Sequence, residues 1–93
     1  MYRLTDKEKY LLNAMYNEFL NRYNDGVSKE QAMDLGNSDS VLKLTPKLTE
    51  DVLLKLIADL KKKGFLFTFN GSDSFYKVEL TTKAISYMER NKY

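Results

Sequence analysis

The sequence predicts an α+β fold in the order helix, helix, helix, strand, strand, helix. Three observations carry that expectation. Between Thr49 and Lys63 the apolar residues Val52, Leu53, Leu56, Ile57 and Leu60 recur at the spacing of one helix face, and Gly64 stops the run. Phe65–Phe69 and Phe75–Leu80 are β-favouring stretches joined by Asn70-Gly71-Ser72-Asp73-Ser74, the composition of a hairpin turn. Thr81, followed by Ala84, Ile85 and Met88, opens a last helix.

The elements are justified in chain order. A first helix is expected from Thr5 to about Asn24. Thr5 and Glu8 have the spacing of a capping box, in which hydroxyl and carboxylate each accept from the other's backbone amide. Leu12, Met15, Tyr16, Phe19 and Tyr23 share one face, flanked by Leu11 and Leu20, and Asp25-Gly26 ends the helix. A short second helix is expected from Ser28 to about Leu35, with Ser28 and Gln31 as a second capping box and Gly36 as its stop. Val27 is a candidate for a one- or two-residue bridge to the later ribbon. Asn37–Lys47 reads as a long connection, because Asn37-Ser38-Asp39-Ser40 is turn-rich and Thr45 before Pro46 avoids helical angles.

The third helix, Thr49–Lys63, has a threonine N-cap and a Leu48–Leu53 staple. Glu50 and Asp51 in its first turn and Lys61, Lys62 and Lys63 in its last match the helix dipole. In the ribbon, alternation puts Leu66, Thr68, Tyr76, Val78 and Leu80 on one face. Phe65, Phe67, Phe69, Phe75, Lys77 and Glu79 line the other, with Phe69 facing Phe75 across a five-residue turn. The last helix is expected over Thr81 to about Asn91, with Leu80 and Ile85 as its staple.

At 93 residues, a single domain covering 1–93 is expected. The absence of cysteine and histidine excludes disulfides, most zinc sites and histidine-dependent catalysis. There is no glycine-rich phosphate loop, and Glu50 and Asp51 are adjacent on a helix and do not converge. No enzyme, cofactor or metal is expected. No apolar run approaches the ~20 residues of a membrane span, and the charged N-terminus lacks a signal segment, so a cytoplasmic location is the expectation. The net charge of +2 divides into −1 over residues 1–46 and +3 over 47–93, an asymmetry that is small for a nucleic-acid-binding domain.

The step Leu60-Lys61-Lys62-Lys63-Gly64-Phe65-Leu66, then a hairpin, then Val78-Glu79-Leu80-Thr81-Thr82-Lys83-Ala84-Ile85, resembles the winged-helix pattern shared by MarR-like and PadR-like regulators. More closely, Leu48–Asn91 is similar to the small YjcQ-like winged-helix proteins of Gram-positive bacteria and their phages. The resemblance implies a winged helix-turn-helix fold, with Thr49–Lys63 as recognition helix and Asn70–Ser74 as wing tip. In DNA-binding relatives these meet the major groove and a phosphate or the minor groove.

The function expected first is therefore double-stranded DNA binding by a small bacterial or phage transcriptional regulator. Lys55 and Lys62 would be the helix contacts, with Lys43, Lys47 and Lys61 on phosphates. Arg3 and Lys29 are further candidates for backbone contact. Two features oppose this reading: the acidic leading turn at Glu50 and Asp51, and a wing tip whose only charge is Asp73. The alternative is a protein-interaction or dimerisation module that uses Phe65, Phe67, Phe69 and Phe75. Those rings are otherwise covered by Met1–Leu4 or Tyr93.

Overall fold

The computed structural model describes residues 4–70 and 75–91. Over these the chain is α+β, with five helices and a two-stranded antiparallel sheet. Helix α1 spans Asp6–Asn24, α2 Lys29–Met33, α3 Ser38–Leu44, α4 Glu50–Lys62 and α5 Thr82–Arg90; strands β1 and β2 span Leu66–Asn70 and Phe75–Leu80. A single apolar cluster lies between them, built from α1 (Leu11, Leu12, Met15), α4 (Ile57, Leu60), β2 (Val78) and their neighbours.

Local signals explain most of these elements. The Thr5–Glu8 capping box is complete: the Glu8 amide donates to Thr5 Oγ1 at 3.2 Å and the Thr5 amide to Glu8 Oε1 at 2.8 Å. Asn37, Thr49 and Thr81 each accept from the backbone amide three residues on. Gly26, after α1, adopts φ +95°, the left-handed conformation that ends helices.

Two expectations in the first half are overturned. Asn37–Lys47 is not a loop, because Ser38–Leu44 is helical and four helices therefore precede the sheet. Asn37-Ser38-Asp39-Ser40 acts as a cap, with the Ser40 amide on Asn37 Oδ1 at 2.9 Å. Proline's veto applies where it was expected: Thr45 leaves the helical region (φ −128°, ψ 69°), and its hydroxyl donates to the Val41 carbonyl at 3.3 Å. Only Thr45–Thr49 separates α3 from α4. The second correction concerns α2, which ends at Met33 instead of Leu35. Asp34 is extended and bridges to Glu79, and residues 35–36 follow the edge of β2. The Leu35 amide donates to the Val78 carbonyl at 2.9 Å, and the Val78 amide to the Gly36 carbonyl at 2.7 Å. The bridge to the ribbon thus lies seven residues beyond Val27, leaving β2 flanked on both edges.

In the ribbon, Leu66 pairs with Leu80, Phe67 with Glu79, Thr68 with Val78 and Phe69 with Lys77. A bulge then sets Asn70 against Phe75, so Phe69 does not face Phe75. The inward face is as expected at Leu66, Thr68, Val78 and Leu80, all buried. The turn residues 71–74 and the side chains of Phe75 and Tyr76 lie outside the described residues.

The turn from α4 into β1 is held by the turn from β2 into α5. Thr81 Oγ1 donates to the Gly64 carbonyl at 2.7 Å, and Lys83 Nζ donates to the Lys63 carbonyl at 2.8 Å. Gly64 has φ +86°, and an added Cβ would sit 3.3 Å from Lys83 Nζ. Gly64→Ala is therefore expected to destabilise the fold by about 1–2 kcal/mol, since a left-handed residue with a side chain carries that strain. Urea unfolding at neutral pH measures it, and an unchanged midpoint would mean that the turn relaxes freely.

Candidate nucleic-acid interface

Helix α4 buries Leu53, Leu56, Ile57 and Leu60 and so fixes which residues face away. The face opposite that stripe carries Asp51, Lys55, Ala58 and Lys62, of which Asp51, Lys55 and Lys62 are exposed. Leu54 and Lys61 lie to one side, and Lys61 is exposed. On the other side Val52, Lys55, Leu56, Asp59 and Lys63 form a groove of about 560 Å³ with the start of α1. The outward face is graded along its length, with carboxylates at Glu50 and Asp51 and ammonium groups at Lys61 and Lys62.

The structure sorts the lysines into committed and uncommitted groups. Lys63 belongs to the fold: its Nζ lies 2.9 and 2.8 Å from the two oxygens of Glu8, a contact across 55 residues of sequence. The Glu8 side chain is 3% exposed and that of Lys63 29%. Burial alone would push the Glu8 carboxyl up. The Lys63 ammonium and the Thr5 amide outweigh it and hold the carboxyl below its ordinary value. Lys83 caps the Lys63 carbonyl and lies 5.2 Å from the centre of the Phe65 ring. Lys77 lies 3.2 Å from Glu79 and 3.6 Å from Asp34, and these carboxylates, Glu79 foremost, hold its ammonium above the ordinary lysine value.

The five candidate DNA contacts belong to an uncommitted group that also includes Lys7 and Lys29. Lys43, Lys47, Lys55, Lys61 and Lys62 are all exposed, and none forms an ion pair within 4.0 Å among the described residues. Lys43 lies in the last turn of α3. Lys47 lies in the turn before α4, 5.9 Å from the centre of the Tyr10 ring. Lys29 is exposed at the start of α2, away from α4 in sequence. Arg3, Met1–Arg3 as cover, the tip residues Gly71–Ser74 with Asp73, and Tyr93 lie outside the described residues.

The aromatic candidates divide. Phe67 and Phe69 are 48% and 52% exposed, with ring centres 5.1 Å apart and nearly perpendicular. Phe65 is not on that face. It precedes β1, is 1% exposed, and packs edge-on against Tyr87 at 5.2 Å. The alternation begins at Leu66 and does not extend back to Phe65, which lies in the turn, where backbone direction does not follow the pleat. Leu4, another proposed cover, is buried in the core cluster.

Sequence reasoning missed the Glu8–Lys63 and Lys77–Asp34–Glu79 contacts. Glu8 carried a signal for its cap, but nothing local marks a partner 55 positions away. Among the described residues no helix is long and apolar enough to cross a membrane, and no three acidic, histidine or cysteine side chains gather as metal ligands would. Searches of protein-family descriptions, characterised proteins and solved structures return no match to this chain, so its own geometry carries the reading of the site.

Proposed function

We propose that the chain is a winged helix-turn-helix protein that binds double-stranded DNA through α4, as a small transcriptional regulator of the bacterial or phage kind. The observation that carries this reading is the division of the lysines. Lys63, Lys77 and Lys83 are spent on the fold, while Lys43, Lys47, Lys55, Lys61 and Lys62 stay exposed on α3, α4 and the turn between them. The topology supports it: two helices separated by five residues, then a hairpin, with a short third segment on the far edge of β2. This is the order in which a winged helix presents its recognition helix and wing.

The charge gradient on α4 gives the docking an orientation. Carboxylates at Glu50 and Asp51 are repelled by phosphate, so the helix approaches through its middle and C-terminal turns. Lys55 and Lys62 stand two turns apart on the outward face and reach into the groove. Lys61, with Lys43 and Lys47 from the preceding elements, neutralises backbone phosphates.

The test is a mobility-shift titration on duplex DNA over a range of salt. Three neutralised phosphates would give log K a slope of roughly −3 against log salt. Lys55→Glu combined with Lys62→Glu is expected to abolish the shift, while Lys61→Ala lowers the slope by about 1. No shift on any duplex at low salt would sink the proposal.

A further inference from the structure

We infer that the outer face of the β1–β2 sheet is a homodimer contact whose occupant is the same face of a second copy. This surface is separate from α4 and goes beyond the DNA-binding reading. Two strand pairs define it: Phe67 stands opposite Glu79, and Phe69 opposite Lys77. The face is therefore a two-by-two array, with aromatic rings along β1 and one charge of each sign along β2. Both rings are about half exposed.

The array is its own complement under one two-fold operation. Let the axis lie in the plane between two stacked faces and run across the strands. It then places β1 over β1 and β2 over β2, and exchanges the two rows. Phe67 comes to lie over the partner copy's Phe69, and Glu79 over the partner copy's Lys77. Each ring meets a ring and each ammonium meets a carboxylate. An axis along the strands would instead set rings over charges. Asp34, the remaining carboxylate beside this face among the described residues, is bridged to Glu79 in the Phe67 row. The exchange carries it towards the row of Lys77 and not onto another carboxylate. The existing Lys77–Glu79 pair at 3.2 Å then becomes half of a four-charge ring of alternating sign. A partner of unrelated sequence has no need of this ordering, whereas a second copy uses all of it.

The contact is small. Phenylalanine buries roughly 150–250 Å² when covered, so two half-exposed rings give roughly that area per copy, well below the ~800 Å² per partner of a standard interface. The dimer should therefore be reversible and concentration-dependent.

Sedimentation equilibrium of the whole chain without DNA, from micromolar to sub-millimolar protein, tests it. The average mass should rise towards twice the monomer. Phe67→Ser with Phe69→Ser should hold it at the monomer mass with unchanged helical circular dichroism. Glu79→Lys presents two ammonium groups and Lys77→Glu two carboxylates. Each variant alone should stay monomeric, and their equimolar mixture should recover a one-to-one dimer. A monomer throughout for the unsubstituted chain overturns the proposal, as does a dimer that survives loss of both rings. A ring-dependent dimer with no recovery in the mixture overturns the row-exchanging arrangement. No arm contains DNA, so failure here leaves the DNA-binding proposal untouched, and failure to shift DNA leaves this one untouched.

Discussion

Phe65→Ala is expected to remove about 3–5 kcal/mol of stability, the usual loss for truncating a fully buried phenylalanine. The residue fills the junction where α4, β1 and α5 meet. Its ring is 1% exposed, edge-on to Tyr87 and beneath the Lys83 ammonium. Its backbone is equally engaged, with its amide on the Leu60 carbonyl at 2.9 Å and its carbonyl accepting from the Thr81 amide at 3.2 Å. Alanine keeps those backbone bonds and leaves a void that three elements cannot close together. A domain of this size has only about 5–15 kcal/mol in total, so the variant should lose a large part of its unfolding free energy. Phe67→Ala, two residues away and half exposed, should change stability by no more than about 0.5 kcal/mol. Urea titrations of the two variants make the comparison. Equal losses would mean that Phe65 is not the packed residue described.

Lys63→Met should cost about 2–4 kcal/mol at neutral pH, somewhat less than the 3–5 typical of breaking a buried pair, because the lysine end is partly exposed. The carboxylate it abandons is 3% exposed and keeps the Thr5 amide as a donor. Glu8→Gln should be milder, about 1 kcal/mol, since glutamine also serves in a capping box and its loss leaves no buried charge. The pH dependence separates this account from simple loss of packing. In the unsubstituted chain Glu8 titrates below its ordinary value. The unfolded state therefore binds its proton first as pH falls. The stabilisation is complete above about 4.5 and is lost as pH drops through the folded-state value. Without Lys63, burial dominates and raises the carboxyl, so the folded state takes the proton first and the variant gains stability relative to neutral pH. The two curves should converge on acidification. Unfolding free energies measured at pH 7 and near pH 4 give the readout, and a constant gap would contradict a charge origin.

What could be read in the sequence follows from how far apart the cooperating residues lie. Thr5 with Glu8, Thr49 with Val52 and Thr81 with Ala84 act within one turn, and the helices they begin are where their spacing puts them. Helix α3 escaped because asparagine and serine suit a turn and an N-cap for the same reason, a short side chain that accepts from nearby amides. Seven residues with apolar side chains only at Val41, Leu42 and Leu44 give too little periodicity to decide between the two. The segment 34–36 escaped because a strand that short has no pattern of its own, and its partner is more than forty residues later. The lysines show the same limit. Their number and the runs they form are plain in the chain, but which are consumed by the fold depends on Glu8, Asp34 and the Lys63 carbonyl, brought near only by packing.

The placement of 34–36 against β2 has a bearing on assembly order. Leu35 and Gly36 exchange hydrogen bonds with Val78, while β1 occupies the opposite edge of the same strand. Among the described segments, the one latest in sequence is therefore the middle one of the three. Until it arrives, the earlier segment has nothing to pair with, and the hairpin is only half made. The chain cannot be cut into a helical half and a ribbon half that each keep their hydrogen bonds. Such a late, long-range closure slows folding relative to a bundle of local contacts.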